Sequence, residues 1–196
     1  EMIWYGTRNK TLVSQITNDI KSGGIAYTLN KPYSYVIYII TKHFGEISIK
    51  FVLYMILAIV TGFIFVGPID FNIISLPFIT IVFLLSFIIN AVIRIIISML
   101  SFYIEDSTPF HWLYDKVIIV LGIIFPIEIF PKVLQPILKF TPIYVVTYGP
   151  AKLVIDFNFN MFFTIIFIQI IYLIVTIILL TLMYRKGVRK LNVNGG

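Results

Sequence analysis

The sequence contains no cysteine and only two histidines, His43 and His111. Disulfide frameworks, thiol catalysis and Cys/His zinc sites therefore drop out together, because each needs side chains this chain does not have. Charge is nearly as scarce. Asp, Glu, Lys and Arg make up 12% of the 196 residues, about half the roughly 25% of a soluble domain. So few ionic groups cannot cover a compact surface in water. Hydrophobic residues reach 59%, the mean hydropathy is +0.99, and uncharged runs of about 18 residues or more recur. The solvent these residues require is a lipid bilayer.

The net charge of +6 and a pI near 9.4 would suggest nucleic-acid binding in a soluble protein. Here the basic residues flank the apolar runs instead of forming a patch, so membrane topology explains them and nucleic acid is not expected as a partner. The first long run starts near Ile47, too far along for the n-region and cleavage site of a signal peptide. The opening residues Glu1 to Tyr5 read as the end of a helix whose earlier part precedes them, and the sequence is expected to be a C-terminal portion.

The run Ile47 to Val66 has one charge, Lys50, in its first turn, and its 20 residues cover the roughly 30 Å hydrocarbon core at about 1.5 Å each. Gly67-Pro68 stops it, and a connection through Asp70 and Asn72 leads to a second helix from Leu76 to about Ile104. Glu105 to Pro109 ends that helix and starts another, with Thr108 as the expected N-cap and Pro109 in the first helical position. This third helix runs to about Pro126. Five of the nine prolines, from Pro126 to Pro150, then fall within 25 positions, and a re-entrant or surface-lying broken hairpin is expected there. Met161 to Tyr184 gives 24 uncharged residues, closed by four positive charges in Arg185 to Lys190.

The expected fold is an all-α polytopic membrane protein. It has transmembrane helices at about 47–66, 76–104, 109–126 and 161–184 and a re-entrant extracellular segment at about 127–150. Residues 1–46 precede the transmembrane domain and 185–196 form a tail. Four crossings place eleven of the Lys and Arg residues beside the spans on one side and three on the other, so the N-terminal segment and the tail are expected to be cytoplasmic.

Chemistry-bearing candidates are few. Arg94 is the one charge deep in an apolar run, and it reads either as an inner-leaflet anchor that snorkels or pairs with Glu105 or Asp106, or as part of a substrate path. Glu128, between Pro126 and Pro131, would line an outer vestibule or simply be solvated. His43 and Glu46 have H-x-x-E spacing, but a metal site needs further ligands, so both read as interfacial polar residues and no metal is expected. His111 reads as a polar residue at a helix start. There is no Gly-x-x-x-x-Gly-Lys-Ser/Thr loop for a nucleotide, and no nucleophile elbow, so neither ATP hydrolysis nor any other catalytic role is expected of this chain.

More informative is the stretch from Thr11 to Phe44. Leu12, Ile16 and Ile20 recur every four residues beside Val13, which predicts a short amphipathic helix stopped by Gly23-Gly24. Such a helix needs an apolar groove, either a membrane surface or a partner protein. Pro32 then opens a Tyr33, Tyr35, Tyr38 segment suited to the headgroup layer, an interfacial elbow leading into the first span.

Asp19-Ile-Lys-Ser-Gly-Gly-Ile-Ala-Tyr27 with Leu29-Asn-Lys-Pro32 resembles the cytoplasmic loop of type-2 ATP-binding-cassette (ABC) transporter permeases. Phe125-Pro-Ile-Glu-Ile-Phe-Pro131, Leu134-Gln-Pro136 and Pro142 to Pro150 are similar to that family's proline-broken outer hairpin before its last helix. The resemblance implies a six-helix permease of a prokaryotic cell membrane, without its first two helices here, that pairs with a second permease subunit. It implies that Thr11 to Gly24 is a coupling helix docking on a separate ATPase subunit, through Ile16, Asp19, Ile20, Gly23 and Gly24. ATP and Mg would be held by that partner and no cofactor by this chain. It further implies an exporter in which the broken hairpin, with Pro126 and Pro131 fixing the break, is the extracellular gate. Glu105 to Lys116 would be a second cytoplasmic contact. A stand-alone channel or secondary transporter is the main competing reading, followed by a membrane-embedded enzyme and a structural subunit.

Overall fold

The computed structural model describes residues 10–25, 27, 31–32, 34–67, 73–104 and 106–194, and all regular structure among them is helical. We label the helices α1 (Lys10–Lys21), α2 (Tyr35–Val66), α3 (Leu76–Met99), α4 (Thr108–Ile118), α5 (Leu134–Lys139), α6 (Gly149–Ile155) and α7 (Phe159–Asn194). Three stretches, Tyr35–Phe65, Leu76–Phe102 and Phe159–Lys190, are long and apolar enough to cross a membrane. The segment expected at 109–126 is helical over 108–124, where α4, of 11 residues, continues as a π-helical turn, Ile119–Ile124. The opening helix end at 1–5, most of the connection at 68–72, Tyr33 and Glu105 lie outside the described residues.

Two expected boundaries move, each for a physical reason. α2 begins at Tyr35, twelve residues before Ile47, because Tyr35, Ile39 and His43 recur every four residues and are all fully buried on one face. The Tyr35 to Tyr38 stretch is therefore helix and not an elbow. At the other end α7 runs on through Arg185 to Lys190, where Gly187 still faces the bundle.

α3 is the hub. Pro77 sits in its first turn, where a missing N–H costs nothing. The start of α3 packs with the start of α7, the hairpin and α6 around Ile79, Val82, Leu153, Phe162 and Ile165. Its end packs with α1, the start of α2 and the end of α7 around Ile16, Tyr35, Ile39, Ile95, Met99 and Leu180. The starts of α1 and α2 and the ends of α3 and α7 thus share one end of the bundle. Apolar side chains gain nothing from burial against each other instead of lipid, so close approach at small residues holds such helices together. A Cβ on Gly187 would stand 2.4 Å from the Phe102 ring, and one on Gly122 would stand 2.3 Å from the Thr147 hydroxyl.

The proline-rich stretch is less broken than expected. A 3-10 turn, Ile127–Ile129, and the single turns of α5 fit the expectation, but a π-helical turn, Tyr144–Tyr148, runs into α6 straight through Pro150. In that register the carbonyl of Val145 would look to residue 150, which has no N–H, while the Gly149 N–H goes to the Tyr144 carbonyl. Val145 O is satisfied from outside its helix. The Ser86 hydroxyl donates to it at 3.1 Å and the Gln169 amide at 2.9 Å.

Candidate functional site

At the shared end, α1 lies with its apolar stripe inward. Ile16 is 0% and Ile20 7% exposed, against Val92, Ile95 and Met99 of α3 and Leu180 of α7. Polar ties hold it in register: the Tyr35 hydroxyl donates to Asp19 Oδ2 at 3.2 Å, the Lys42 ammonium donates to Gln15 Oε1, and the hydroxyls of Thr17 and Ser101 are 3.0 Å apart. α1 ends at Lys21 and Gly23 turns the chain at φ +70°, a conformation a side chain would strain. Ile16 and Ile20 were expected in a partner's groove. The groove their stripe requires is supplied by this chain's own helices, and Ser14, Asn18, Lys21, Ser22 and Gly23 are what α1 leaves exposed.

From that end a polar seam runs along α3. Ser86, Asn90, Arg94 and Ser98 follow one another at one-turn spacing, all buried, with Ser101 buried just beyond. α4 runs antiparallel beside it, and its polar residues meet the seam turn by turn. The His111 Nε2 lies 3.0 Å from the Ser98 hydroxyl, and the Arg94 guanidinium donates to Asp115 Oδ1 at 2.7 Å. The Tyr114 hydroxyl donates to Asn90 Oδ1 at 2.7 Å, and its ring lies 5.4 Å from the guanidinium. At the far end Gln169 of α7 donates to Ser86 Oγ and to the carbonyls of Val82 and Val145. Polar residues are expensive at this depth, and here each helix supplies partners for the next.

This arrangement corrects the reading of Arg94 as a snorkelling anchor. Its side chain is 4% and that of Asp115 9% exposed, so neither reaches an interface. Asp106, an expected partner, is exposed and instead accepts the Thr108 N–H at 2.9 Å, which holds its carboxyl below the usual range. α4 starts one residue earlier than expected, with Ser107 at the N-cap and its hydroxyl accepting from Ser101 instead of capping the helix. His111 stands at a helix start as expected, whereas His43 is not interfacial. Both are buried, and among the described residues neither nitrogen of His43 has a hydrogen-bond partner. Glu46 lies on the outer side of α2, within 4.0 Å of Lys42. Among the described residues no three His, Asp or Glu side chains gather as metal ligands.

The end of the bundle away from α1 carries the hairpin. Pro126 and Pro131 bracket the short 3-10 turn, and Gln135 Nε2 closes it on the Phe130 carbonyl at 2.9 Å. Glu128 projects from that turn to α6, where the Lys152 ammonium donates to one carboxylate oxygen and the Tyr148 hydroxyl to the other. These two donors pull the Glu128 carboxyl down to about 2, and partial burial with the neighbouring carboxylate pushes the Tyr148 hydroxyl up.

The family model described as ABC-2 family transporter protein matches residues 4–195 of the chain. The chain belongs to this family. No curated protein and no solved structure matches it significantly. This ABC-2 family protein is a membrane protein of transport, with apolar helices that cross the bilayer. Within it the sequence-derived candidates fall into two separate groups. Ile16, Asp19, Ile20, Gly23 and Gly24 stand on or beside α1, whereas Pro126, Glu128 and Pro131 stand at the opposite end, with Arg94 between them. Asp115, His111, Asn90, Ser98, Ser86 and Gln169 were missed. Their signal is in the sequence, a polar residue every fourth position of an apolar run matched by His111 and Asp115 at the same spacing in the next helix.

Proposed function

We propose that this ABC-2 family protein is the permease subunit of an exporter, driven by ATP hydrolysis in a separate subunit that binds the ATP and Mg. The observation that carries the reading is α1: its apolar side is locked into the ends of α3 and α7 while its polar side is left to solvent. A helix held this way passes any push on its outer face to the spans, since Ile16 and Ile20 cannot move without Ile95 and Met99. ATP binding draws two ATPase subunits together, and the docked helix transfers that displacement to two paired permease subunits, shifting them toward an outward-open state. The contact is assigned to Asn18, Lys21 and Ser22 around the Gly23-Gly24 turn, with Asp19 fixed by Tyr35.

In this reading the α1 end faces the cytoplasm of a prokaryotic cell, in keeping with the eleven basic residues on that side, and the C-terminus is cytoplasmic. α4 with its π-turn forms a short fourth crossing, because it runs antiparallel to α3 from Ser98 to the Gly122–Thr147 contact. The hairpin between Pro126 and Pro131 is then the outer gate, tied shut by Glu128 and Lys152.

The test is affinity purification in mild detergent. An ABC-type ATPase subunit co-purifies with the parent chain, and Asn18→Glu with Lys21→Glu lowers its capture about tenfold, the equivalent of ~1.4 kcal/mol, without loss of membrane insertion. Capture unchanged by the double substitution overturns the assignment of α1. Recovery of a conducting pore with no nucleotide-binding partner overturns the permease reading altogether.

A further inference from the structure

Between the hairpin and α7 the structure has a cavity of about 430 Å³, within the range of small-molecule sites. Its floor is apolar, formed by Ile165 and Ile168 of α7, which are 1% and 5% exposed, with Ile127 from the hairpin, and Phe140 stands at its open edge. Its rim is polar. Glu128, Lys139, Tyr144 and Lys152 line it, joined by Asn160 and Thr164 at the start of α7. The charges on this rim do not cancel. Both carboxylate oxygens of Glu128 are already taken by Tyr148 and Lys152, and among the described residues Lys139 has no carboxylate partner. The cavity therefore presents one surplus ammonium group above a greasy floor.

On the hairpin, Ile129, Val133 and Ile137 join Phe140 of the cavity in being 61–80% exposed, an apolar surface of the kind that lies against lipid.

We propose that this cavity binds an anionic amphiphile, with a phosphate or carboxylate head at Lys139 and the Tyr144 hydroxyl and a single apolar chain against Ile165 and Ile168. A volume of about 430 Å³ is of the size that takes a head group with an apolar chain. The ammonium supplies charge where the apolar floor supplies affinity, so neither a neutral detergent nor a bare anion satisfies both halves. The site is independent of the coupling reading above, because it depends on no ATPase and lies at the other end of the bundle.

The test uses the whole chain in nanodiscs of neutral phosphocholine lipid, with empty discs subtracted to remove simple partitioning. Dodecyl phosphate, dodecyl maltoside and inorganic phosphate are the probes, followed by isothermal calorimetry. Dodecyl phosphate is expected to bind saturably and at least tenfold more tightly than either of the others. Lys139→Gln weakens it about tenfold and Lys139→Arg restores it, while Ile165→Trp abolishes it by filling the floor. Lys139→Gln is on the exposed rim and leaves the fold intact, which keeps the result readable if Ile165→Trp fails to fold. Equal binding of dodecyl maltoside overturns the anionic assignment, equal binding of inorganic phosphate makes this a free-anion site, and indifference to Lys139→Gln removes the site.

Discussion

Replacing one member of the Arg94–Asp115 pair is the sharpest test of the seam. The ion pair is 2.7 Å long and both side chains are almost wholly buried, so a single deletion strands the other charge in a medium that cannot solvate it. Losing one partner of such a pair costs about 3–5 kcal/mol, and insertion of a lone charge at a helix centre costs about 2.5–3.5 kcal/mol on biological scales. The two single variants should differ. A stranded Asp115 can take up a proton, whereas a guanidinium stays charged, so Asp115→Leu should be worse than Arg94→Leu. The double variant Arg94→Leu/Asp115→Leu should return to within ~1 kcal/mol of the parent, because neither charge is then buried alone. With singles of about 3–5 kcal/mol and a double near the parent, the coupling energy expected from the cycle is at least about 5 kcal/mol. Reversible unfolding in mixed micelles reads it directly, and in a Trp4→Phe background the remaining tryptophan, Trp112, reports from α4 itself. Additive single costs, with coupling under ~0.5 kcal/mol, would mean that the pair is not formed in the folded protein. An Asp115→Leu variant as stable as the parent would restore the anchor reading of Arg94.

Gly187→Ala places a methyl group 2.4 Å from the Phe102 ring and should cost about 1–3 kcal/mol, although alanine is the better helix former; shrinking the ring with Phe102→Leu should recover most of it, and a stabilised Gly187→Ala in a thermal melt would show that α7 does not close on Phe102. The Glu128 tie should depend on acid. Its carboxyl is depressed from 4.5 to about 2, so the stabilisation is complete above about pH 4.5 and is lost as the pH falls towards 2. The pair is half exposed, and ~0.5–1 kcal/mol is its whole contribution. Protection factors for amide exchange in the hairpin and α6 should therefore fall a few-fold over that interval, and the same fall in Glu128→Gln would assign it elsewhere.

Much of this architecture is legible in the chain because lipid leaves so few options. Uncharged runs of spanning length have to be helices, and the three long ones fall where hydropathy alone puts them. The stripe Ile16–Ile20 correctly demands a groove, yet periodicity gives a helix's inward face and not the identity of its partner, so the groove on α3 and α7 could not be told from one on another protein. Arg94 shows the same limit. An isolated arginine near the end of an apolar run fits a snorkelling anchor as well as a buried pair, and Asp115 reads as an ordinary charge until α4 is seen to be antiparallel to α3. Pro150 misled for a different reason. Proline forbids one hydrogen bond, and a π-turn together with donors from two other helices can supply the loss, a solution invisible to any local rule.

The seam and α1 belong to one mechanical argument. Thr17 of α1 meets Ser101 just beyond the end of α3, and from there polar contacts on Ser98, Arg94, Asn90 and Ser86 bind α3 first to α4 and then to α7 and the π-turn before α6. Apolar contacts between lipid-embedded helices slide at little cost, whereas a buried ion pair or hydrogen bond holds one register until it is exchanged for another. In the proposed permease a displacement at α1 would otherwise dissipate into sliding; with the seam intact, it would move α3, α4 and α7 as a unit or break a bond whose loss is worth several kcal/mol. The seam thus joins the end of the bundle carrying Asn18 and Lys21 to the end carrying Glu128.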